Sequence, residues 1–252
     1  MIRLAKRGIR RLVRRFGYDF VARRSDGLPL DFDDAMVELC QRVSPYTMTS
    51  PERLWALREA VRYVVRCDIR GDIVECGVWK GGSMMAAALT LHDLGVTNRR
   101  IHLFDTFEGM SAPSSRDRSV SGEDAADLLR GRDKDYWLWC RSPLEDVREA
   151  MRSTRYDESN LMYISGRVED TLPGHAPDKI ALLRLDTDWY ESTYHEMTHL
   201  FPRLVPGGVL ILDDYGHWEG AREAVDQYLS ETKAAVLLQR IDESGRICVK
   251  RG

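Results

Sequence analysis

The sequence predicts an α/β protein built on a mainly parallel sheet that ends in an antiparallel hairpin. Three observations support this fold. Short apolar or β-branched runs at 72–76, 101–104, 161–165, 179–185 and 206–212 alternate with stretches of helical periodicity. The last two runs, around LLRL and VLIL, are almost continuously apolar, as in strands covered on both faces. Finally, 234–240 and 246–250 flank the turn Asp242, Glu243, Ser244, Gly245, which is a hairpin signal.

Composition suits one such domain with a short addition at its start. The chain has 252 residues, 43% of them hydrophobic, enough to bury a sizeable core. The expected division is a basic helix and helical extension over 1–45, then the main domain over 46–252. A net charge of -3 hides an asymmetry, because the first 24 residues carry +8 and the remainder -11. Ile9, Leu12, Val13, Phe16 and Phe20 share a helical face ringed by Arg10, Arg11, Arg14 and Arg15. Such a helix lies on anionic lipid, or packs on its own domain or on a second copy in a homo-oligomer. The acidic remainder argues against a nucleic-acid partner. Five cysteines without a CxxC pair, and no leader segment, point to a reduced, cytoplasmic setting. No run approaches the roughly 18 apolar residues of a membrane span.

Taken in order, 31–43 and 51–66 read as helices, with Ser50 before Pro51 as a cap. The run DIVECGVWKGGSMMAAALTL at 72–91 then reads as strand, glycine turn and helix. Gly81, Gly82 and Ser83 open that helix, and IHLFDTFEG at 101–109 carries the next strand to Asp105. An acidic residue there accepts hydrogen bonds from ribose hydroxyls in open α/β sheets. The spacing is GxxxGG rather than GxGxxG, so no pyrophosphate need sit on the helix start, which favours S-adenosylmethionine over NAD. Gly77 alone has a second explanation, a tight strand-to-helix turn.

Two further strand ends are acidic: KIALLRLDTDWYEST carries Asp186 and Asp188, and PGGVLILDDYGHW carries Asp213 and Asp214. Parallel strands bring these to one edge, where a hard divalent cation such as Mg²⁺ would relieve their repulsion. Alternatively, Asp188 caps a helix starting near Glu191, and Asp214 one starting near Glu219. Between the two clusters, 111–140 is a long polar segment closing on Tyr136, Trp137 and Trp139, expected to be a lid or acceptor loop. Ser142 and Glu145 form a capping-box pattern for a helix through Arg152, and GRVEDTLP puts Glu169 and Asp170 at the sheet edge. Beyond the acidic pair, 220–229 reads as a further helix.

The blocks ECGVWKGGS, DTFEGM, GRVEDTLP, LDTDWYEST and PGGVLILDDYGHWEGAREAV, spread from about residue 47 to residue 229, resemble those of the macrocin O-methyltransferase family, the TylF/MycF-type sugar O-methyltransferases. The first 45 residues lie outside the resemblance. It implies a class I methyltransferase (Rossmann-like) fold, S-adenosylmethionine and Mg²⁺ as cofactors, and a sugar hydroxyl of a glycan, glycoside natural product or lipid-linked saccharide as acceptor. Matching positions make Asp186, Asp213 and Asp214 the metal ligands, and place Glu75, Gly77, Ser83, Asp105 and Phe107 around the cofactor. Val78, Trp79, Gly81, Gly82, Thr106 and Ser142 complete that expected shell, with Met48 between cofactor and sugar. Asp186 or Asp188 would accept the proton, with His217 as another base or a substrate contact. Trp189 and Tyr190 would wall the acceptor site or pack in the core. The rival function is a metal-dependent glycosyltransferase using LLRLDTD as strand and DxD motif, and a non-sugar vicinal diol would satisfy the same metal.

Overall fold

The structure is a computed structural model that describes Arg14, Arg15, residues 21–132 and residues 139–251. The expected basic face of 1–24, and Tyr136 and Trp137 of the expected lid, therefore lie almost entirely outside the described residues. The chain divides into two compact units, Met1–Glu38 and Leu39–Gly252, where the sequence suggested a division at 45/46.

In the first unit, Arg24 N–H donates to the Leu28 carbonyl at 2.8 Å across a turn containing Gly27. Helix α1 (Asp34–Val43) begins later than expected because the Asp33 carboxylate accepts the Met36 N–H at 2.7 Å and so ends the preceding turn.

The second unit holds the sheet. Helix α2 (Pro51–Arg66) starts as expected, with Ser50 accepting the Arg53 N–H. Then follow β1 (Asp72–Cys76), α3 (Gly82–Asp93), β2 (Ile101–Asp105), a short α4 (Ala125–Leu129), α5 (Leu144–Arg152), β3 (Leu161–Ser165), α6 (Val168–Thr171) and β4 (Ile180–Leu185). The chain closes with α7 (Tyr190–Leu200), β5 (Leu204–Leu212), α8 (Glu219–Thr232), β6 (Gln239–Arg240) and β7 (Arg246–Val249). The sheet order is β3-β2-β1-β4-β5-β7-β6, parallel except at β7. This is the expected α/β sheet with its antiparallel hairpin.

Alternation along the central strands decides what each face meets. Val74, Cys76, Leu183 and Leu185 are buried in a cluster with Met197 and Leu200 of α7 and Val225 and Tyr228 of α8. The intervening Glu75 and Arg184 are register partners on β1 and β4, and face the side of Thr49 and α2. Pairing continues past the strand ends: Gly77 N–H donates to Phe104 O, Asp186 N–H to Cys76 O and Asp213 N–H to Leu185 O, each at 2.9 Å. The acidic residues are thus held in register by the sheet.

The glycines after β1 serve the chain before any ligand. Gly77 has φ +83°, and a Cβ there would lie 1.8 Å from the Asp186 carbonyl oxygen. A Cβ on Gly82 would lie 2.6 Å from the Tyr46 carbonyl oxygen, so this glycine lets 46–47 rest on the start of α3. Gly81, at φ +88°, is the left-handed residue before that helix.

Three expected caps do not form. Pro143, not Ser142, precedes α5, and Glu145 pairs instead with Arg152 at 2.9 Å. Neither Asp188 nor Asp214 caps the helix after it; Trp189 and Trp218 occupy those positions without a side-chain bond. The start of α7 is served from a distance by buried Asp117, whose Oδ1 accepts the Tyr190 N–H at 2.7 Å. Its Oδ2 accepts from Ser114 N–H at 2.6 Å and Ser114 Oγ at 2.8 Å, and a Cβ on Gly220 of α8 would lie 2.1 Å from Oδ1. The described part of the expected lid is therefore stitched to the starts of both helices, and Val120 N–H adds a bond to His217 O at 2.9 Å.

Gly77→Ala should lower stability by more than the roughly 1 kcal/mol of a purely conformational glycine loss, because the methyl would meet backbone. Gly122→Ala is the comparison, since Gly122 has φ +88° and nothing within 4 Å of a Cβ. Equal losses for both variants in urea unfolding would show that the β1 and β4 loops part without cost.

Candidate active site

A cavity of about 470 Å³ opens at the carboxyl ends of β1, β2, β4 and β5, where open α/β sheets bind ligands. Met48, Gly77, Val78, Trp79, Ser83, Asp105 and Thr106 border one part of it. Asp186, Asp188, Asp213, Asp214, His217 and Trp218 border the other. Of the residues expected around a cofactor, Glu75, Gly81, Gly82, Phe107 and Ser142 do not border it. Phe107 and Ser142 are buried, and the two glycines face the chain packing described above.

Asp105 holds the turn after β1 together. Its Oδ2 accepts the Val78 and Trp79 N–H groups at 2.7 and 3.0 Å, and Oδ1 accepts the Phe107 N–H at 2.6 Å. Trp79 and Phe107 sit at φ +49° and +55°, so their amides turn inward and need an acceptor. A carboxylate offers about four acceptor positions, so these three bonds fix Asp105 at the cavity edge without exhausting it. Burial pushes the Asp105 pKa up, and the three backbone bonds pull it back.

The centre of the site is a buried ion network. Arg184 Nη1 donates to Glu75 Oε1 at 2.6 Å and Asp186 Oδ2 at 2.7 Å, while Nη2 donates to Asp213 Oδ1 at 2.5 Å and Thr49 Oγ1 at 3.0 Å. Glu75 thus pairs with Arg184 through Oε1 beneath the site, while its Oε2 is buried without a hydrogen-bond partner. Arg53 of α2 donates to Asp213 Oδ2 from Nη1 and to Asp242 Oδ2 from Nε at 2.9 Å. Sequence reasoning missed Arg184, Arg53, Asp117 and Asp242. Arg184 had left a signal, since an arginine inside a strand buried on both faces must find anions.

Burial works against the charge on Arg184, yet Asp186, Asp213 and Glu75 together hold its pKa well above the usual value. Burial pushes Glu75 up to about 8 despite that guanidinium, and Asp213 up to about 6. It does the same to Asp188, to about 8, helped by Asp186 and opposed by the Trp218 indole, whose Nε1 donates to Asp188 Oδ1 at 2.6 Å. Asp214 is pushed well above its usual range by burial and by Asp188. Carboxylates outnumber the guanidinium groups here, so the site calls for protons or another cation.

Ligand oxygens of Asp186, Asp213 and Asp214 lie within 4.8 Å of one another, the one such group found among the described residues. Asp214 Oδ2 is buried without a hydrogen-bond partner. An orphaned carboxylate oxygen facing two further carboxylates is an oxygen donor set that fits a hard divalent cation.

His217 stands at the cavity edge against Trp218, ring centroids 4.8 Å apart. Burial and Arg53 lower its pKa, so the ring is neutral at pH 7. Trp189 belongs to the core: it is buried, meets Trp218 edge-on at 5.0 Å and donates Nε1 to Ser111 O at 3.0 Å. Tyr190 stacks on Tyr194 and donates to Gln227 Oε1 at 2.6 Å. Trp139 packs on the same indole cluster, as an anchor of the expected lid. Glu169 borders the cavity, and Arg167 contacts its carboxylate at 3.3 Å.

The chain is similar to known O-methyltransferases. A Streptomyces olivaceus protein, 8-demethyl-8-(2,3-dimethoxy-alpha-L-rhamnosyl)-tetracenomycin-C 4'-O-methyltransferase, is 34% identical over 200 residues, covering 79% of this chain and 74% of that protein. The Streptomyces niveus demethyldecarbamoylnovobiocin O-methyltransferase is 33% identical over 202 residues, with the same coverage of 79% and 74%. Among solved structures, the O-methyltransferase NovP superposes with a TM-score of 0.70 at 28% identity, over 82% of this chain and 83% of that one. The family model for macrocin-O-methyltransferase (TylF) matches residues 34–250, and the chain belongs to that family of O-methyltransferases.

Proposed function

We propose that the chain moves the methyl group of S-adenosylmethionine to a hydroxyl of a sugar, with a divalent cation, Mg²⁺ in the first instance, holding the acceptor. The observation that carries this is the convergence of Asp186, Asp213 and Asp214 in the same cavity as the Val78–Trp79 turn. The sugar follows from the S. olivaceus relative, whose name specifies a rhamnosyl substrate. A glycosyltransferase reading of the DTD run is not favoured by membership of an O-methyltransferase family.

The cavity volume is that of a small-molecule site. Met48 and Phe104 offer apolar wall, and Ser83 and Thr106 polar contacts, which suits the nucleoside part of the cofactor. Bound there, S-adenosylmethionine supplies an electrophilic methyl group, and the cation a Lewis acid that lowers the pKa of an acceptor hydroxyl. Asp186, Asp213 and Asp214 would hold the cation, with Arg184, itself held by Thr49, fixing the first two carboxylates from behind. Asp188 is the best-placed proton acceptor: it borders the cavity, and Trp218 fixes one of its oxygens. His217 is a neutral hydrogen-bonding contact for the acceptor at the rim.

No helix among the described residues is long and apolar enough to cross a membrane. The +8 charge of the first 24 residues supports contact with an anionic membrane surface as a second, separable property.

Purified protein given S-adenosylmethionine and rhamnosyl acceptors should release S-adenosylhomocysteine only with Mg²⁺ or Mn²⁺ present. EDTA should abolish turnover while cofactor affinity in calorimetry is nearly unchanged, and full activity in excess EDTA would sink the metal assignment. Asp213→Asn and Asp214→Asn should each reduce turnover severely, with partial rescue at high Mn²⁺ for at least one of them. Asp188→Asn should lose about 10²-fold or more, the scale of a general base, with no rescue by metal; rescue would make Asp188 a ligand instead. Anionic vesicles should sediment the full chain in a salt-sensitive manner and release it when residues 1–24 are deleted. Equal sedimentation of the truncated chain would remove lipid from its partners.

A further inference from the structure

Arg53 makes contacts that methyl transfer does not require. Its Nη1 donates to Asp213 Oδ2, and because Arg184 holds Oδ1, both oxygens of Asp213 rest on guanidinium groups. The two arginines differ in freedom. The Arg184 side chain is 2% exposed and tied to Glu75, Asp186 and Thr49 as well. The Arg53 side chain is 15% exposed, borders the cavity and has a second anchor in Asp242, on the turn between β6 and β7. Asp242 is fixed without help from Arg53: it accepts from Ser50 Oγ at 2.5 Å, Ser244 N–H at 3.0 Å and Gly245 N–H at 2.6 Å. Arg53 thus has a charged partner that stays in place when Nη1 leaves Asp213.

A divalent cation among Asp186, Asp213 and Asp214 takes an oxygen from each, and it repels a guanidinium lying against one of those oxygens. Of the two groups on Asp213, only Arg53 is free to withdraw. We infer that Arg53 is a tethered counter-ion of the cation site, exchanging Asp213 for Asp242 as its main partner when a divalent cation binds; this rests on the reading of the three aspartates as that site. Before the cation arrives, the guanidinium offsets repulsion among the carboxylates. On arrival, its contact must be broken, so the same side chain lowers cation affinity. Asp242 sets how much, because it is where the displaced charge goes. The turn 242–245, which borders the cavity through Glu243 and Ser244, is thereby coupled to occupancy of the cation site.

The test is Mn²⁺ binding to the full chain, read from the electron paramagnetic resonance signal of free Mn²⁺ without cofactor or acceptor. Arg53→Gln should bind Mn²⁺ about tenfold more tightly, the scale of removing one unit charge some 6 Å from a divalent ion in water-like surroundings. Asp242→Asn should bind it more weakly, since Arg53 then has Asp213 as its remaining anionic partner. Charge removal alone gives opposite signs, so the signature of the exchange is that Asp242→Asn weakens binding in the wild type and leaves it unchanged in an Arg53→Gln background, whereas a weakening of equal size in both overturns it. Arg53→Lys keeps the charge but loses the fork that spans two carboxylates, and should tighten binding by a smaller factor; it serves as the test if thermal melting shows Arg53→Gln to be misfolded. Wild-type binding that neither Arg53 variant tightens, or that Asp242→Asn strengthens, overturns the exchange and leaves the three-aspartate site standing. Failure of the wild type and of both Arg53 variants to bind Mn²⁺ overturns the site and the exchange together.

Discussion

A guanidinium buried inside the sheet is the constraint on which the site depends. Arg184 sits on a central strand where every neighbour in the run is apolar, and its desolvation is tolerable only because Glu75, Asp186 and Asp213 surround it. The relation runs both ways. Without Arg184 the same carboxylates would be buried like charges within a few ångströms of one another. Glu75, beside it in register on β1, accepts from its Nη1 beneath the site, so Asp186 and Asp213 are not its only partners. They keep surplus negative charge towards the cavity, which is what a cation site requires.

Around this centre the protein fixes positions by backbone rather than by long side chains. The turn after β1 is clamped to Asp105 by the Val78 and Trp79 N–H groups, Phe107 N–H adds a third bond from the loop after β2, and the starts of α7 and α8 are brought to Asp117. Both clamps use a carboxylate, buried in Asp117 and half-buried in Asp105, to gather backbone groups that helix and strand ends leave without partners. The loops that carry Asp186, Asp188, Asp213 and Asp214 are therefore held at both ends, by the sheet before them and by Asp117 after them. A site organised in this way loses little entropy when it takes a ligand.

Much of this was legible in the sequence, and what was not has physical causes. The strands, the order of the helices, the hairpin and the acidic strand ends could be read because periodicity and run length are local properties. The helix caps could not. Asp188, Asp214 and Ser142 have the right chemistry one or more positions from a helix start, but a residue 73 positions away on a loop, Asp117, took the role for α7. Asp105 could be read as a site residue, but the three backbone amides that it also gathers could not. The glycines that suggested a cofactor loop are required by contacts with Tyr46 and Asp186, which no local pattern discloses. Arg53 and Asp242 were invisible for the same reason, since their meeting joins α2 to the last hairpin.

Hydrogen bonding that runs on past the ends of β1, β4 and β5 makes the sheet a ruler for the site. Adjacent strands lie about 4.8 Å apart, and Asp186 and Asp213 leave neighbouring strands while still in register, so the distance between their backbones is set by the pleat rather than by loop conformation. Lengthening or reshaping the loops beyond them would not move these two carboxylates apart. The reach of these two carboxylates towards each other is consequently a matter of side-chain length at fixed stations.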